Sequence, residues 1–269
     1  MIDKTVQKGF TLIEITIVLL ILGLLIAGIL GPLSIRVEQK QRQETQDQLD
    51  DIKNTLIGFA ITEGRLPCPD CRIATAGSCN DPSVTLNDGR EDRIGAAGSQ
   101  TCAADVGSNN YYSIGNLPWV DLGVSEFDAW REHFTYAVTS DFADESYGAS
   151  NEDVNNRPNP CGTATVGVSF ELCSGGNLDI QTVDENDPSR PIVPIPLVDN
   201  VPALVFSGAK NDFTAQATPS PLEQENTNND NVFFYDDYRL ETNNEFDDLM
   251  IWISPNILKY RMVQAGRLP

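Results

Sequence analysis

The chain has 269 residues, 39 of them acidic and 18 basic, for a net charge of −21, with a single histidine. That balance excludes a surface built to neutralise nucleic-acid phosphates, which needs clustered Lys and Arg, and one histidine removes most hydrolase triads. Six cysteines, Cys68, Cys71, Cys79, Cys102, Cys161 and Cys173, stand in the later part of the chain, and an even number there points to disulfides formed in an oxidising compartment.

The first element in chain order is "KGFTLIEITIVLLILGLLIAGILGPL", Lys8 to Leu33. From Ile15 to Leu33 it carries no charge, and a run of that length meets the requirement of about 20 apolar residues for a helix crossing a bilayer. A secretory signal peptide has a shorter apolar region and a small-residue cleavage site; Ala27-Gly28 offers such a site, but the run is too long for that reading. One carboxylate, Glu14, sits near its start. A carboxylate within a membrane segment costs on the order of 2.5–3.5 kcal/mol and by default marks a functional contact with a partner.

"KGFTLIEITIVLLILGLL" resembles the type IV prepilin N-terminus shared by type IV pilins and the pseudopilins of type II secretion systems, with a leader ending in Gly, then Phe, and a Glu five residues into the mature chain. The resemblance implies that a prepilin peptidase cuts after Gly9 and that Phe10 becomes an N-methylated terminus. A subunit in a helical filament buries its apolar helix against its neighbours, so the new Phe10 amine is a cation in need of a counter-charge. Glu14 of an adjacent subunit is the expected acceptor, setting axial register, a task to which a buried ion pair is better suited than to net stability. The alternative is a Glu at the membrane edge that snorkels to the interface.

Beyond the span, "SIRVEQKQRQETQDQLDDIKNTLIGFAITEG" has no Pro, and no Gly before Gly58, so the helix is expected to run on into water. Leu49, Ile52, Leu56 and Phe59 form one apolar stripe that should face a sheet, whereas Arg36 to Asp47 has no such stripe. Gly31-Pro32 is expected to weaken or bend the helix. At about 1.5 Å per residue, Phe10 to Glu63 predicts a rod of roughly 80 Å.

"GRLPCPDC" ends the helix with Gly64, Pro67 and Pro69. From there to Asn116 the polar, Gly-rich chain reads as one long loop, and loops of that length are uncommon unless functional or stapled. Cys68-x-x-Cys71 has no second CxxC to complete a metal site, so structural disulfides are expected, with Cys161 paired to Cys173 around a strand and the other four closing the loop.

"LPWVDLGVSEFDAWREHFTYAV" and the earlier "GRLPCPD" are similar to segments of large prepilin-type proteins. Phe134, Tyr136 and Val138 alternate and predict a first strand, with Trp119 and Trp130 as core residues and His133 half exposed beside them. Later strands are expected at Ala164 to Leu172, Leu178 to Val183, Pro202 to Ser207, Val232 to Tyr235 and Leu249 to Ile253. Ser254-Pro255 should open a short terminal helix.

Between Glu223 and Asp248 carboxylates and amides crowd together. They read first as solvated acidic loops. The alternative is a calcium site near Asp230, Asp247 and Asp248, since calcium takes six to eight hard oxygens and the resemblance to major pseudopilins implies a C-terminal calcium loop; no EF-hand spacing is present, and no other cofactor is expected.

The expected fold is α+β and pilin-like: a leader at 1–9, a transmembrane and assembly helix at 10–33, its amphipathic continuation at 34–63, and an exported head at 64–269 with a mostly antiparallel sheet and a cysteine-stapled loop. No G-x-S-x-G, HExxH or phosphate loop is present, so enzyme activity is not expected. The resemblance implies a filament subunit of a type IV pilus or type II secretion pseudopilus, inserted in the inner membrane with its head in the periplasm. Its partners would be other pilin or pseudopilin subunits, the prepilin peptidase and an inner-membrane assembly platform, and nucleic acid would not be among them. The stapled loop and large head favour a minor subunit. The alternatives are an adhesive, tip-type subunit displayed on such a filament and a membrane-anchored exported domain that does not polymerise.

Overall fold

Leu49, Ile52, Leu56 and Ala60 return to one side of a helix at spacings of three and four, and all four are fully or almost fully buried. They lie on α1, Leu12–Glu63. A computed structural model describes residues 11–72, 79–103, 105–106, 111–145, 167–183, 194–211, 220–228, 230–239 and 246–268, without the side chains of 26–35. The leader 1–9, Phe10, Cys161 and the first part of the expected 164–172 strand lie outside these residues. The chain divides into two compact units, Met1–Gln43 and Glu44–Pro269.

In the second unit the elements follow as β1 (Arg93–Ile94), β2 (Thr101–Cys102), β3 (Asp105–Val106), β4 (Tyr112–Asn116), α2 (Trp119–Leu122), β5 (Thr135–Thr139), α3 (Ser140–Ala143), β6 (Leu178–Val183), β7 (Pro194–Val201), β8 (Ala203–Ser207), α4 (Pro221–Glu225), β9 (Val232–Phe234), β10 (Leu249–Ile253) and α5 (Pro255–Gln264). Five strands form an antiparallel sheet in the order β10-β8-β5-β4-β3. A second sheet has the order β7-β6-β9, with β6 and β9 parallel, and β1 and β2 form a small ribbon.

The larger sheet is buried on both faces. Tyr136, Val138, Val205, Ile251 and Ile253 face the α1 stripe together with Leu258 and Met262 of α5. Ile114, Ala137, Leu204, Phe206 and Met250 face Leu178, Ile180 and Phe233 of the smaller sheet. Helix, sheet and sheet therefore stack in three layers, which explains why β4, β5 and β8 carry no solvent-facing residue.

Several expectations need correction. The stripe ends in Ala60; Phe59 is only partly buried and packs under the Arg65 guanidinium, 5.4 Å from its ring centre. The stretch from Gly64 to Asn116 is not one loop, because β4 lies within it and precedes β5 in the sheet. Gly115 is required there, since a Cβ would stand 2.4 Å from the Asp70 carbonyl oxygen where Asp70 bridges to Asn116. Residues 167–172 form no strand: Gly167 turns at φ 78°, and Phe170 instead packs its ring on Phe142 at 4.7 Å. β7 was not anticipated, because Pro194 and Pro196 depress strand propensity; it occupies a sheet edge, where proline is tolerated. Trp119 and Trp130 are half-buried rather than core residues. Ser254 stands at the α5 N-cap position without a side-chain capping bond.

Deleting the Leu56 side chain leaves a void where helix meets sheet. Leu56→Ala should lower stability in chemical denaturation by about 2–5 kcal/mol, whereas Val120→Ala, at a position 45% exposed, should stay within about 0.5 kcal/mol. Equal effects would place the core elsewhere.

Candidate functional site

In the first unit Thr11 precedes α1 and Glu14 lies in its first turn. The Thr11 backbone N–H donates to Glu14 Oε2 at 3.4 Å, and the Glu14 N–H donates to Thr11 Oγ1 at 3.4 Å. This is a capping box, in which each residue satisfies a backbone donor that the helix start leaves open. The T-x-x-E signal before an apolar run was present in "TLIE", so this role of Glu14 was legible and was missed. Glu14 is exposed, as are Leu12 (87%), Ile13 (68%) and Leu24 (68%). Exposed apolar surface of that extent marks a membrane or protein interaction. No helix among the described residues is long and apolar enough to cross a membrane; the expected span at 10–33 includes Phe10 and side chains outside those residues.

The head carries two features of its own. The first is the stapled loop. Cys68 pairs with Cys102 and Cys71 with Cys79, closing separations of 34 and 8 residues; a bridge of this kind contributes roughly 2–4 kcal/mol by constraining the unfolded chain. Cys173 is also disulfide-bonded, and Cys161, its expected partner, lies outside the described residues. Arg65 forks the Glu91 carboxylate at 2.6 and 2.7 Å, and the same carboxylate accepts the Cys68 N–H at 3.2 Å. The loop also pairs with the sheet: the Asp70 and Asn116 backbones exchange hydrogen bonds at 3.0 and 2.8 Å. His133 is stacked on Trp119 at 5.0 Å and lies beside Phe127 at 4.7 Å, with Nε2 3.2 Å from Glu126 Oε1.

Asp70 is fully buried, and its Oδ2 accepts the Gly89 N–H and an Asn116 amide hydrogen. Its Oδ1 is buried without a hydrogen-bond partner. Burial, opposed by those hydrogen bonds and reinforced by the charges of Asp92 and Asp88, lifts its carboxyl to about 6.

The second feature is a carboxylate cluster. Glu223, Asp247 and Asp248 are all buried, with one oxygen of each within 4.8 Å of the others. Glu223 is held by α4: it closes a capping box with Ser220 and accepts the Asp247 N–H at 3.2 Å. Asn226 donates to Asp248 Oδ2 at 2.7 Å. The structure thus brings Asp247 and Asp248 together with Glu223 and not with Asp230. Asp230 sits in the turn before β9, where it accepts from Asn228 and Val232, and its charge adds to the burial that raises the Tyr112 hydroxyl to about 12. Glu223 gave one usable signal, the S-x-x-E box that buries it.

No curated protein and no solved structure matches the chain. A family model does match, that of the prokaryotic N-terminal methylation motif, over residues 4–30. The motif is the prepilin-type signature of type IV pilins and pseudopilins, and it marks a pilin- or pseudopilin-type precursor. Such a motif implies, in general, association with other pilin subunits and with prepilin peptidase.

The fold holds the Asp70 carboxyl protonated at a pH where an unfolded chain ionises it, so ionisation costs folding free energy. That cost is absent below about pH 4, grows between pH 4 and 6 and is complete above, where it amounts to about 1–3 kcal/mol. Asp70→Asn keeps the acceptor and removes the charge. The variant should be more stable than the natural chain at pH 7.5 by that amount in denaturant titrations, and the gain should disappear near pH 4. A difference independent of pH would show that Asp70 is not the titrating group.

Proposed function

We propose that this chain is a structural, minor-type filament subunit of a type IV pilus or a type II secretion pseudopilus. It enters the inner membrane as a prepilin with its N-terminus in the cytoplasm and its head in the periplasm. The peptidase cuts after Gly9, Phe10 is N-methylated, and α1 then carries the subunit into the filament. Glu14 accepts the Phe10 amine of a neighbouring subunit and sets the register.

The observation that carries this reading is the methylation motif at residues 4–30, set on a helix whose apolar side chains stand exposed around one carboxylate. A capping carboxylate costs little to hold at a helix start, near the positive end of the helix dipole. A closed, disulfide-bonded loop exceeds what a bulk subunit needs, which supports a specialised one.

The test separates insertion from assembly. Glu14→Leu makes the segment more apolar, so the variant should be exported, cut to begin at Phe10 by intact mass, and folded, yet depleted several-fold from sheared filaments. Wild-type incorporation of that variant, or a natural chain that still begins at Met1, would overturn the reading.

The head's carboxylate cluster fits a divalent cation. Three buried carboxylates within 4.8 Å repel one another, and hard oxygen donors of this kind suit calcium. Glu223, Asp247 and Asp248 would hold it, pinning α4 to the strand that begins at Leu249. Millimolar calcium should raise the head's melting temperature by several degrees relative to chelator, as expected for a ligand that binds only the folded state, and Asp247→Asn should abolish the difference. An unchanged melting temperature would leave the cluster a hydrogen-bonded structural one.

A further inference from the structure

Residues 123–125 run beside α1, and between them lies an open pocket of about 560 Å³. Its α1 wall consists chiefly of the polar side chains Gln48, Asp51, Asn54 and Thr55, which flank the buried Leu49, Ile52 and Leu56 stripe on the same helix. The opposite wall is held in place by three hydrogen bonds. The Val124 N–H donates to the Trp119 carbonyl at 3.1 Å, and the Phe127 carbonyl accepts from both Gln48 Nε2 at 3.3 Å and Ser125 Oγ at 2.8 Å.

The direction of these bonds decides what the pocket can take. Thr55 Oγ1 donates to the Asp51 carbonyl at 2.9 Å, so both hydroxyls of the lining and the Gln48 amide nitrogen give hydrogen to backbone carbonyls. What they leave toward the pocket is mainly acceptor: the lone pairs of Thr55 and Ser125, and the carboxylate of Asp51, which is exposed and in no ion pair among the described residues. Gln48 Oε1, in the same wall, is buried without a hydrogen-bond partner. Asn54 adds an amide that serves either way.

A hard divalent cation takes six to eight oxygens, which one carboxylate in so wide a space does not gather. A sugar hydroxyl calls for donors as well as acceptors. A guanidinium brings five N–H donors and no acceptor, and it forks a carboxylate, so it is the complement of this lining. The charge of the chain says what carries it. With 39 acidic residues against 18 basic ones, two copies of this chain repel each other, whereas a more basic protein is drawn in.

We infer that the pocket receives an arginine of a different, more basic pilin-type subunit, paired with Asp51 and accepted by Thr55, Ser125 and Gln48. The inference rests on the filament reading above and names the chemistry by which this subunit selects a neighbour other than itself.

The test uses the full-length chain in the filaments of the cells that make it, with a photo-crosslinking residue at position 54. Peptide sequencing of the adduct should find a different pilin-type subunit, labelled within a few residues of an arginine. Asp51→Asn, which keeps the shape of the side chain, should lower the adduct yield on the order of tenfold, while Asp50→Asn, at an exposed carboxylate outside the pocket, should leave it unchanged. Changing the partner's arginine to aspartate should lower the yield in the same way, and combining that change with Asp51→Arg should restore it. Labelling of a second copy of this chain, labelling of a segment without an arginine, equal losses from Asp50→Asn and Asp51→Asn, or failure of the reversed pair would overturn the inference. Chains that enter filaments without an adduct would overturn it while leaving the filament reading intact; chains absent from filaments would overturn both.

Discussion

The head depends on one packing constraint, the seating of the Leu49, Ile52, Leu56 and Ala60 side of α1 on the five-stranded sheet. The other contacts of the head are arranged around it. Tyr136, at the centre of that sheet, is completely buried and sends its hydroxyl to the Pro67 carbonyl at 3.1 Å, so the segment that leaves α1 is fastened to the strand that α1 covers. Gly64 makes the departure possible. It adopts φ 78°, and a Cβ there would stand 2.0 Å from the Gly167 carbonyl oxygen, so no other residue fits without moving the backbone.

The first unit poses the opposite problem. Its described side chains from Leu12 to Leu25 are mostly apolar and exposed, and surface of that kind marks an interaction site. A lone carboxylate among them is economical because it already has local work, closing the capping box with Thr11. In the assembly proposed above, the same group would exchange that modest local role for a charge-assisted contact with an amine, the stronger kind of hydrogen bond.

Legibility in the sequence followed the physics of each segment. Leu178–Val183 and Leu249–Ile253 are the expected strands to the residue, because their apolar residues bury in the ordinary way. The N-terminal motif was equally legible, since its signal is local. β4 and β7 were not, for their sequences break strand propensity at Gly115, Pro194 and Pro196 for reasons of long-range fit: a close backbone approach in one case and an edge position in the other. The 167–172 segment alternates like a strand, but its apolar residues plug the core beside α3. The acidic cluster was half visible. Composition pointed to Asp247 and Asp248, while Glu223 joins them only through the capping box that turns it inward.

The hydrogen bond from Arg267 to the Thr62 carbonyl brings the last turn of the chain back to the place where the head begins. The head is thus a circuit of chain closed at its root. In a filament of the kind proposed above, tension along the helix would meet the opening and closing segments side by side. Fraying of the segment after α5 would first have to break this contact with the end of α1.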